Sequence, residues 1–236
     1  MADRVLITGG ASGIGRAVAE RCRADGYEPV VIDREGGADE GIIRADLSDP
    51  EETTRALEVA LRGGPITRVV NNVGVVRPGP VEEQTIADLD LVVSLNLRCA
   101  MQCLQAVLPG MKEARFGRVV NMASRAALGK ELRTVYAATK AGLIGMAKVW
   151  ALELGEFGIT ANAVGPGPIR TELFERANPH NSPRTRAIID AVPVRRLGTP
   201  EDVAHAVSFL LDERSGFVTG QALYVCGGMT VGAAGA

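Results

Sequence analysis

Histidines and metal-spaced cysteines are scarce in this chain of 236 residues, and the scarcity narrows the chemistry open to it. It has two histidines, His180 and His205, and neither lies beside a recognisable motif, which argues against a histidine base and against a zinc site. The four cysteines lack metal-ligand spacing, and Cys99 and Cys103 share one helical face, as buried thiols of a cytoplasmic protein do. We therefore expect no bound metal.

Long apolar runs and a strong charge of one sign are also missing. We find no run of eighteen apolar residues, and the first residues lead directly into a strand pattern, so we expect neither a signal peptide nor a transmembrane span. A formal net charge of -2 gives little attraction to nucleic acid or to an anionic membrane. The expected partner is a small molecule, and the expected location is the cytoplasm.

Aliphatic residues dominate instead. The hydrophobic fraction is 46% with only 4% aromatic, which suits buried parallel strands covered by helices in one domain spanning residues 1–236. Alternating strand and helix patterns predict an α/β Rossmann fold, a doubly wound parallel sheet of about seven strands with helices on both faces. Helices begin behind the caps Asp49-Pro50 and Thr199-Pro200. The predicted strands are 4–8, 28–33, 41–46, 68–71, 117–122, 160–164 and 222–226.

A glycine-rich turn follows the first predicted strand. The run Thr8-Gly9-Gly10-Ala11-Ser12-Gly13-Ile14-Gly15 is succeeded by apolar residues at helical spacing. Strand, glycine turn and helix together predict a phosphate site, because the glycines allow close approach to a pyrophosphate at the helix N-terminus. The spacing is Gly-x-x-x-Gly-x-Gly, and no Gly-Lys-Ser/Thr follows, which excludes a nucleoside-triphosphate P-loop.

An acidic residue ends the second predicted strand. Asp33 lies eighteen residues beyond Gly15, where a carboxylate hydrogen-bonds the adenine-ribose hydroxyls of NAD and repels a 2′-phosphate. Arg34 follows directly and could receive that phosphate. The sequence therefore favours NAD, with NADP as the alternative.

Tyr136 and Lys140 lie four residues apart in a predicted helix and so share one face. A phenol ordinarily has a pKa of ~10, and a nearby cation favours the phenolate. We expect Lys140 to lower the pKa of Tyr136 and so to bring the phenol closer to the working range of an acid/base catalyst.

Together these motifs resemble the short-chain dehydrogenase/reductase family over essentially the whole chain. Thr8 to Gly15 is similar to its cofactor motif, and Asn71-Asn72-Val73-Gly74 to its Asn-Asn-Ala-Gly segment. Further along, 200–204 and 218–221 resemble its C-terminal signatures. The residues that match its catalytic tetrad are Asn96, Ser124, Tyr136 and Lys140, and those that match its Pro-Gly turn region are Pro166, Gly167 and Thr171.

The resemblance implies a role for each matching residue. Tyr136 would be the general acid/base, Lys140 would also hold the nicotinamide ribose, and Ser124 would donate a hydrogen bond to the substrate oxygen. Asn96 would hold a water that links Lys140 to solvent. The implied cofactor contacts are Gly9, Ser12, Gly13, Ile14, Gly15, Asp33, Arg34, Asp46, Leu47, Asn72, Gly74, Tyr136, Lys140, Pro166, Gly167, Ile169 and Thr171.

The substrate region departs from the family pattern. Only twelve residues separate Ser124 from Tyr136, and Arg125 stands where a small residue is usual, as Cys226 does where aspartate is frequent. A substrate lid is expected over about 171–192, with Phe174 and Arg125 as candidate substrate contacts. Arginines in and near the lid suggest an anionic substrate, but for any one of them a solvated loop charge or a contact between subunits is the favoured explanation. The other candidates considered are Arg77, Arg176, His180, Arg184 and Arg186.

Three functions remain open at this point. The first is an NAD-dependent oxidoreductase that interconverts a secondary alcohol or hydroxy acid and its ketone. The alternative is an NADPH-dependent 3-oxoacyl-thioester reductase of the fatty-acid type. A non-catalytic dinucleotide-binding sensor is the third, and it predicts loss of Ser124, Tyr136 or Lys140, which are all present. The resemblance further implies a homotetramer, with helices around 85–113 and 134–157 at one interface and the C-terminal strand at another.

Overall fold

A computed structural model describes residues 3–179 and 182–231, which fold around one parallel sheet of seven strands. The predicted doubly wound Rossmann architecture is confirmed. Strand β3 is shorter than predicted and β6 runs two residues further, to Pro166. The strands are β1 (Arg4–Thr8), β2 (Glu28–Asp33), β3 (Ile42–Arg44), β4 (Arg68–Asn71), β5 (Gly117–Met122), β6 (Ile159–Pro166) and β7 (Ala222–Val225).

Helices connect the strands and cover both faces of the sheet. Strand order is β3-β2-β1-β4-β5-β6-β7, so the chain reverses its direction of winding between β1 and β4. In a parallel sheet of this kind the ligand crevice opens at that switch point, beyond the carboxyl ends of the strands. The helices are α1 (Gly13–Ala24), α2 (Pro50–Leu61), α3 (Ile86–Val93), α4 (Cys99–Ala114), α5 (Thr134–Leu154), α6 (Glu172–Ala177), α7 (Pro183–Asp190) and α8 (Pro200–Leu211).

The strand period of two distributes the core to both faces. Leu6 faces the cluster that includes residues of α2 and α4, whereas its neighbours Val5 and Ile7 face the cluster that includes residues of α1 and α8. All three are fully buried, and each such side chain contributes about 1.5–3 kcal/mol relative to exposure. Burial on both faces makes the strands continuously apolar and fixes their register.

Caps start the helices where the sequence predicted them. The Asp49 carboxylate accepts hydrogen bonds from the backbone N–H groups of Glu51 and Glu52, with Pro50 in the first turn of α2. Thr199 and Asp202 form a reciprocal capping box at the start of α8. These contacts satisfy N–H groups that have no partner within the helix.

The stretch Ile86–Ala114 is helical throughout its 29 residues and is long and apolar enough to span a membrane by length and composition alone. In this fold its buried residues, among them Cys103, Leu104, Val107 and Met111, pack on the sheet core. A core helix of a globular domain has the same composition. A π-helical turn, Ser94–Arg98, lies between α3 and α4 and contains Asn96.

Candidate active site

The glycine turn lies where β1 meets α1. Gly9 has a φ of 70°, a left-handed conformation that glycine adopts without strain. A Cβ on Gly15 would overlap the Gly9 carbonyl oxygen and would lie 2.6 Å from Asn72 Nδ2, so the turn closes only with glycine at 15. Asn72 Nδ2 in turn donates to the carbonyl oxygens of Thr8 and Gly9, at 3.0 and 2.8 Å. The turn is thus held in shape against the end of β4.

The N-terminus of α1 is left open to a ligand. Its N-cap, Ser12, is exposed and makes no side-chain capping bond, whereas α2, α3, α6, α7 and α8 are all capped by side chains. The backbone N–H groups at this end carry the positive end of the helix dipole. An uncapped helix start behind a tight glycine turn fits a pyrophosphate, and Gly13, Ile14 and Gly15 lie in it as predicted.

The acidic residue at the end of β2 is held beside this turn. One oxygen of Asp33 accepts from the Ala11 backbone N–H at 3.0 Å, and the other accepts from Glu35 N–H at 3.0 Å. Arg34 is exposed, with its guanidinium 3.5 Å from the Glu35 carboxylate. The carboxylate is therefore fixed in the crevice, while the adjacent cation is already associated with an acid.

The remaining predicted cofactor contacts line the same edge of the sheet. Asp46 follows β3 and accepts from the Ser48 N–H and hydroxyl, bonds that lower the pKa of its carboxyl group. Leu47 is buried in the core. Thr171 caps α6 through Phe174 N–H and lies near Gly13, since a Cβ there would be 3.5 Å from its methyl group. Pro166 ends β6, Gly167 donates to the Val225 carbonyl at 2.9 Å, and Ile169 is buried.

Asn96 and Lys140 meet beside Gly74. A Cβ on Gly74 would lie 3.1 Å from Asn96 Oδ1 and 3.2 Å from Lys140 Nζ, so both polar groups converge at the end of β4. Asn96 Oδ1 accepts from Val75 N–H at 2.9 Å, and its Nδ2 donates to Thr139 Oγ1 at 3.0 Å. The π-helical turn and these bonds fix the Asn96 side chain.

Lys140 is a buried cation with room for further partners. Its side chain belongs to a residue only 3% exposed, and Nζ donates to the Met122 carbonyl at 2.6 Å. Burial lowers the pKa of the ammonium to about 8. An ammonium has three donors, and Met122 is its one hydrogen-bond acceptor among residues 3–179 and 182–231. Donors therefore remain for a ligand beside Gly74.

Ser124 and Tyr136 form the other half of the site. Ser124 follows β5, and its Oγ accepts from Ala126 N–H at 3.1 Å. A side-chain hydrogen bond between Ser124 and the Tyr136 phenol lowers the pKa of Tyr136. Lys140 Nζ lies 5.5 Å from the centre of the Tyr136 ring. All four residues of the predicted tetrad are thus brought to the carboxyl edge of the sheet.

The expected lowering of the Tyr136 pKa is wrong for this structure. Burial, the largest cause, raises the pKa of the phenol above 10.0, and only Ser124 and the Arg133 guanidinium oppose the rise. Lys140 is not among the causes of the shift, because burial lowers its own pKa to about 8 and its amine is largely neutral where the phenol titrates. The Tyr136 hydroxyl therefore keeps its proton at neutral pH.

The substrate candidates separate into paired and unpaired groups. Arg77 lies 3.7 Å from Asp88, and Arg176 lies 3.6 Å from Glu172, so acids already occupy both guanidiniums. Arg125 is half-buried next to Ser124, and Phe174 is half-buried in α6. Helices α6 and α7 lie within the predicted lid, whose closing role stays a prediction. His180 lies outside the described residues, and Arg186 is exposed on α7.

Two hydroxyl groups outside the predicted contacts also organise the site. Thr8 Oγ1 accepts from Asn72 and Val73 N–H groups, both at 3.1 Å, and so joins the glycine turn to β4. Thr139 Oγ1 donates to the Tyr136 carbonyl at 2.9 Å while it accepts from Asn96. Hydroxyls at these positions are visible in the sequence, but the groups that donate to them are 43 or more residues distant, and no local pattern identifies them.

Known proteins match the chain from end to end. The family model described as enoyl-(acyl carrier protein) reductase matches residues 9–230. The chain is 38% identical over 240 residues to the (2S)-[(R)-hydroxy(phenyl)methyl]succinyl-CoA dehydrogenase subunit BbsD of Thauera aromatica, covering 96% of each protein. It is 36% identical over 233 residues to the 3-oxoacyl-[acyl-carrier-protein] reductase MabA of Mycobacterium avium, covering 97% of this chain and 90% of that one.

Solved structures show the same similarity over nearly the whole chain. A blue fluorescent protein from a metagenomic library, crystallised in complex with NADPH, superposes with a TM-score of 0.87 at 32% identity, covering 97% of this chain and 98% of that one. Matches of this length and identity exceed what a shared fold alone requires, and they agree with the order of motifs along the sequence. The chain belongs to the short-chain dehydrogenase/reductase family of oxidoreductases.

Proposed function

We propose that this oxidoreductase interconverts a secondary alcohol, such as a hydroxy acid, and its ketone, with NAD as cofactor. The observation that carries the proposal is the convergence of Ser124, Tyr136 and Lys140 beside an uncapped helix N-terminus at the sheet's switch point. The crevice holds a proton donor, a hydrogen-bond donor and a buried cation next to a phosphate cradle. Those are the groups that hydride exchange at a carbon–oxygen bond requires.

The residues divide the work as follows. A bound nicotinamide would supply the hydride acceptor or donor and, when oxidised, a positive charge that favours the phenolate. In reduction Tyr136, which holds its proton at neutral pH, donates that proton to the ketone oxygen, and in oxidation its phenolate takes the proton of the alcohol. Ser124 donates a hydrogen bond to the same oxygen as negative charge develops there.

Lys140 and Asn96 support the proton transfer. The free donors of the Lys140 ammonium would hold the ribose hydroxyls of a bound dinucleotide, and its charge favours the phenolate. Asn96, fixed by Val75 and Thr139, holds the water through which the proton reaches solvent. Variants of Lys140 and of Thr139, the partner of Asn96, test these proposed roles.

The choice of NAD rests on Asp33. Its carboxylate is fixed beside Ala11, where it would accept hydrogen bonds from the adenine-ribose hydroxyls of NAD and repel the 2′-phosphate of NADP. The NADPH bound to the blue fluorescent protein favours the opposite choice for this chain. Replacement of Asp33 with Ala is expected to lower the NAD-over-NADP ratio of kcat/KM by about tenfold or more, since one charge repulsion is removed. Asp39→Ala, an exposed acid of the next loop, is the control and leaves the ratio unchanged.

A second candidate function is NADPH-dependent reduction of a 3-oxoacyl thioester. The names of two relatives favour it, because one is a 3-oxoacyl-[acyl-carrier-protein] reductase and the other acts on a hydroxylated CoA thioester. Asp33 opposes it through its repulsion of the 2′-phosphate. Oxidation of NADH and NADPH with acetoacetyl-CoA distinguishes the two candidates.

The test of the main proposal is a set of initial rates. NAD⁺ and NADP⁺ reduction is measured with secondary alcohols and hydroxy acids, and NADH and NADPH oxidation with the matching ketones. Turnover with NAD that is lost in Ser124→Ala supports the proposal. Turnover only with NADPH and a thioester transfers the assignment to the second candidate. Dinucleotide binding without turnover of any compound favours the non-catalytic sensor.

We also propose a cytoplasmic homotetramer. Exposed apolar side chains on α4 and α5, which include Met101, Val149 and Leu152 (86% exposed), suit one interface, and Leu223 of β7 suits another. Light scattering is expected to give four times the chain mass, and Leu152→Glu is expected to give a dimer. A wild-type monomer would overturn the proposal. The four cysteines are free and buried, as suits a reducing compartment.

A further inference from the structure

Two asparagine side chains contact each other inside the apolar sheet, and we call them the amide pair. Asn71 ends β4 and lies directly opposite Asn121, the residue before the end of β5. The two residues are 4% and 0% exposed, and Asn71 Nδ2 donates to Asn121 Oδ1 at 2.8 Å. Strands covered on both faces are ordinarily apolar throughout, so two buried amides at this place call for a physical reason.

Asn121 also reaches α5. Its Nδ2 donates to the Leu143 carbonyl at 3.1 Å. Leu143 lies three residues after Lys140 and seven after Tyr136, so this bond joins β5 to the face of α5 that carries both groups. Within the described residues, one other side-chain hydrogen bond joins β5 and α5, from Lys140 Nζ to the Met122 carbonyl at 2.6 Å. That bond depends on a group of the proposed reaction, whereas the Asn121 bond does not.

The groups proposed to bind the substrate oxygen come from these same two elements. Ser124 lies three residues beyond Asn121, just past the end of β5, whereas Tyr136 lies in α5. The spacing between the Ser124 hydroxyl and the Tyr136 phenol therefore depends on how α5 packs on β5. The bond from Asn121 to Leu143 fixes that packing at a place that is fully buried.

The Asn121 amide can be held in one orientation only. Its oxygen faces the Asn71 nitrogen, and its nitrogen faces the Leu143 carbonyl. A rotated amide would set its oxygen against that carbonyl and its nitrogen against the nitrogen of Asn71, and both bonds would be lost. Asn71 thus fixes the direction in which Asn121 donates to α5.

Stability alone does not explain the amide pair. Asn71 Oδ1 is buried and has no hydrogen-bond partner in the part of the chain that the structure describes. A buried acceptor without a partner is destabilising, and two apolar side chains of similar shape would remove that penalty. The Leu143 carbonyl lies inside α5, where the N–H groups of the helix serve it, so it does not depend on Asn121.

We propose that Asn121, held by Asn71, is a positioning residue that sets the face of α5 carrying Tyr136 and Lys140 against Ser124. The inference rests on the proposed function and adds two residues to its machinery. Neither amide touches the reacting atoms, and both act through the placement of α5. Their effect on the rate is large because a displacement of about 1 Å between reacting groups can lower a rate by about a hundredfold.

The main experiment replaces both amides at once, in Asn71→Leu/Asn121→Leu. We expect kcat to fall by about tenfold or more, because α5 loses its tie to β5, while affinity for the reduced dinucleotide stays within about threefold. The melting temperature should equal or exceed that of wild type, because the unpaired acceptor is gone. The measurements are initial rates with the best substrate of the set described above, fluorescence titration of the dinucleotide, and thermal unfolding followed by circular dichroism.

Asn162 of β6 provides the matched control. It is 1% exposed, its Nδ2 donates to the Val218 carbonyl at 2.7 Å, and its Oδ1 accepts from the Gln221 N–H at 3.0 Å. Neither partner belongs to α5. Asn162→Leu leaves both backbone groups without this side chain, so the melting temperature should fall by about 2 °C or more while kcat per folded molecule stays within about twofold.

A conservative variant separates hydrogen bonding from side-chain shape. In Asn121→Asp, burial raises the pKa of the carboxyl group, so that at about pH 6 its O–H can donate to the Leu143 carbonyl while its other oxygen accepts from Asn71. We expect this variant to retain about fivefold more kcat than Asn121→Leu at that pH. Equal kcat in the two variants would contradict the inference.

The outcomes distinguish positioning from stability and from failure of the proposed function. A double variant whose kcat stays within about twofold of wild type overturns the inference. One whose melting temperature falls as far as that of Asn162→Leu also overturns it and assigns the amide pair to stability. A wild-type protein that binds dinucleotide but turns over no compound contradicts the proposed function itself.

Discussion

The two ends of the sheet's strands both bury cations, but they use them differently. At the amino end Arg68 of β4 lies directly opposite Arg118 of β5, and the residues are 2% and 3% exposed. The Arg118 guanidinium donates to the carbonyls of Gly117, Gly158, Asp212 and Glu213, and Arg68 Nε donates to the Leu211 carbonyl. The Phe116 ring stacks on both guanidiniums, at 4.7 and 4.2 Å.

At the amino end the protein itself therefore supplies the partners of the two buried arginines. Carbonyls at and just beyond the end of α8 carry the negative end of its dipole, and the Asp3 carboxylate lies 2.7 Å from Arg68 Nη1, so both like charges have negative partners. Burial together with Arg68 lowers the pKa of Arg118, and the four carbonyls take four of the five N–H donors of its guanidinium. Its buried charge is thus held by acceptors of the protein itself.

At the carboxyl end Lys140 is as deeply buried but donates to a single carbonyl, that of Met122. The comparison teaches that burial of a cation does not by itself mark function. The share of its hydrogen-bond donors that have an acceptor in the protein is more informative. An ammonium with unused donors carries a desolvation penalty that a ligand can relieve. This distinction separates the stabilising edge from the candidate active edge.

Replacement of Lys140 with Met gives the largest expected effect on the active edge. The loss of the ammonium near the Tyr136 ring is expected to lower kcat/KM by about 10²–10⁴. The measurement is dinucleotide-dependent turnover of the best substrate. Lys148→Met, at an exposed position of the same helix, is the matched control, and equal activity in the two variants would remove Lys140 from the mechanism.

Arg118→Met is expected to lower stability and to leave turnover nearly unchanged. Its four carbonyl partners lose their donor, so the free energy of unfolding should fall by about 3 kcal/mol, while kcat per folded molecule changes by less than about twofold. Urea unfolding followed by circular dichroism measures the first quantity. Arg214→Met, which removes an exposed arginine beside Asp212, should change stability by less than about 1 kcal/mol. A loss of turnover in the Arg118 variant would contradict the assignment of stability to the amino end and catalysis to the carboxyl end of the strands.

Stability should also depend on pH through Lys140. Burial lowers its pKa from 10.5 to about 8, so between these values the unfolded chain binds more protons than the folded one. The free energy of unfolding of wild type should therefore rise relative to Lys140→Met as the pH rises from about 8 to about 10.5, by about 3 kcal/mol at most. Parallel urea titrations across this range check the prediction, and a difference that falls with pH would contradict it.

Thr139→Val should have the smallest effect. The variant keeps the shape of the side chain but removes the acceptor of Asn96 Nδ2 and the bond to the Tyr136 carbonyl. We expect kcat to fall about fivefold with dinucleotide affinity within about twofold, and Thr139→Ser to restore kcat. A fall in dinucleotide affinity alone would mean that Thr139 acts through the cofactor cradle.

Local patterns were enough to predict the parts of the molecule that local geometry decides. The glycine turn follows from Gly9 and Gly15, and the shared face of Tyr136 and Lys140 follows from helical spacing. The pKa of Tyr136 could not be obtained in this way, because it depends chiefly on the burial of the phenol, which only the tertiary structure shows.

Long-range pairings account for what the sequence did not reveal. Arg68 and Arg118 lie within strands that read as apolar, and only the register of β4 against β5 places them together. The bond between Asn96 and Thr139 joins residues 43 positions apart.

The most direct test of the account is Tyr136→Phe, measured for turnover and for dinucleotide binding in the same preparation. The phenylalanine keeps the buried ring and removes only the hydroxyl, so we expect kcat to fall by about 10²–10⁴ while dinucleotide affinity stays within about threefold. Lost turnover with retained binding is the predicted result. Turnover near that of wild type would contradict the assignment of Tyr136 as the proton-transfer group.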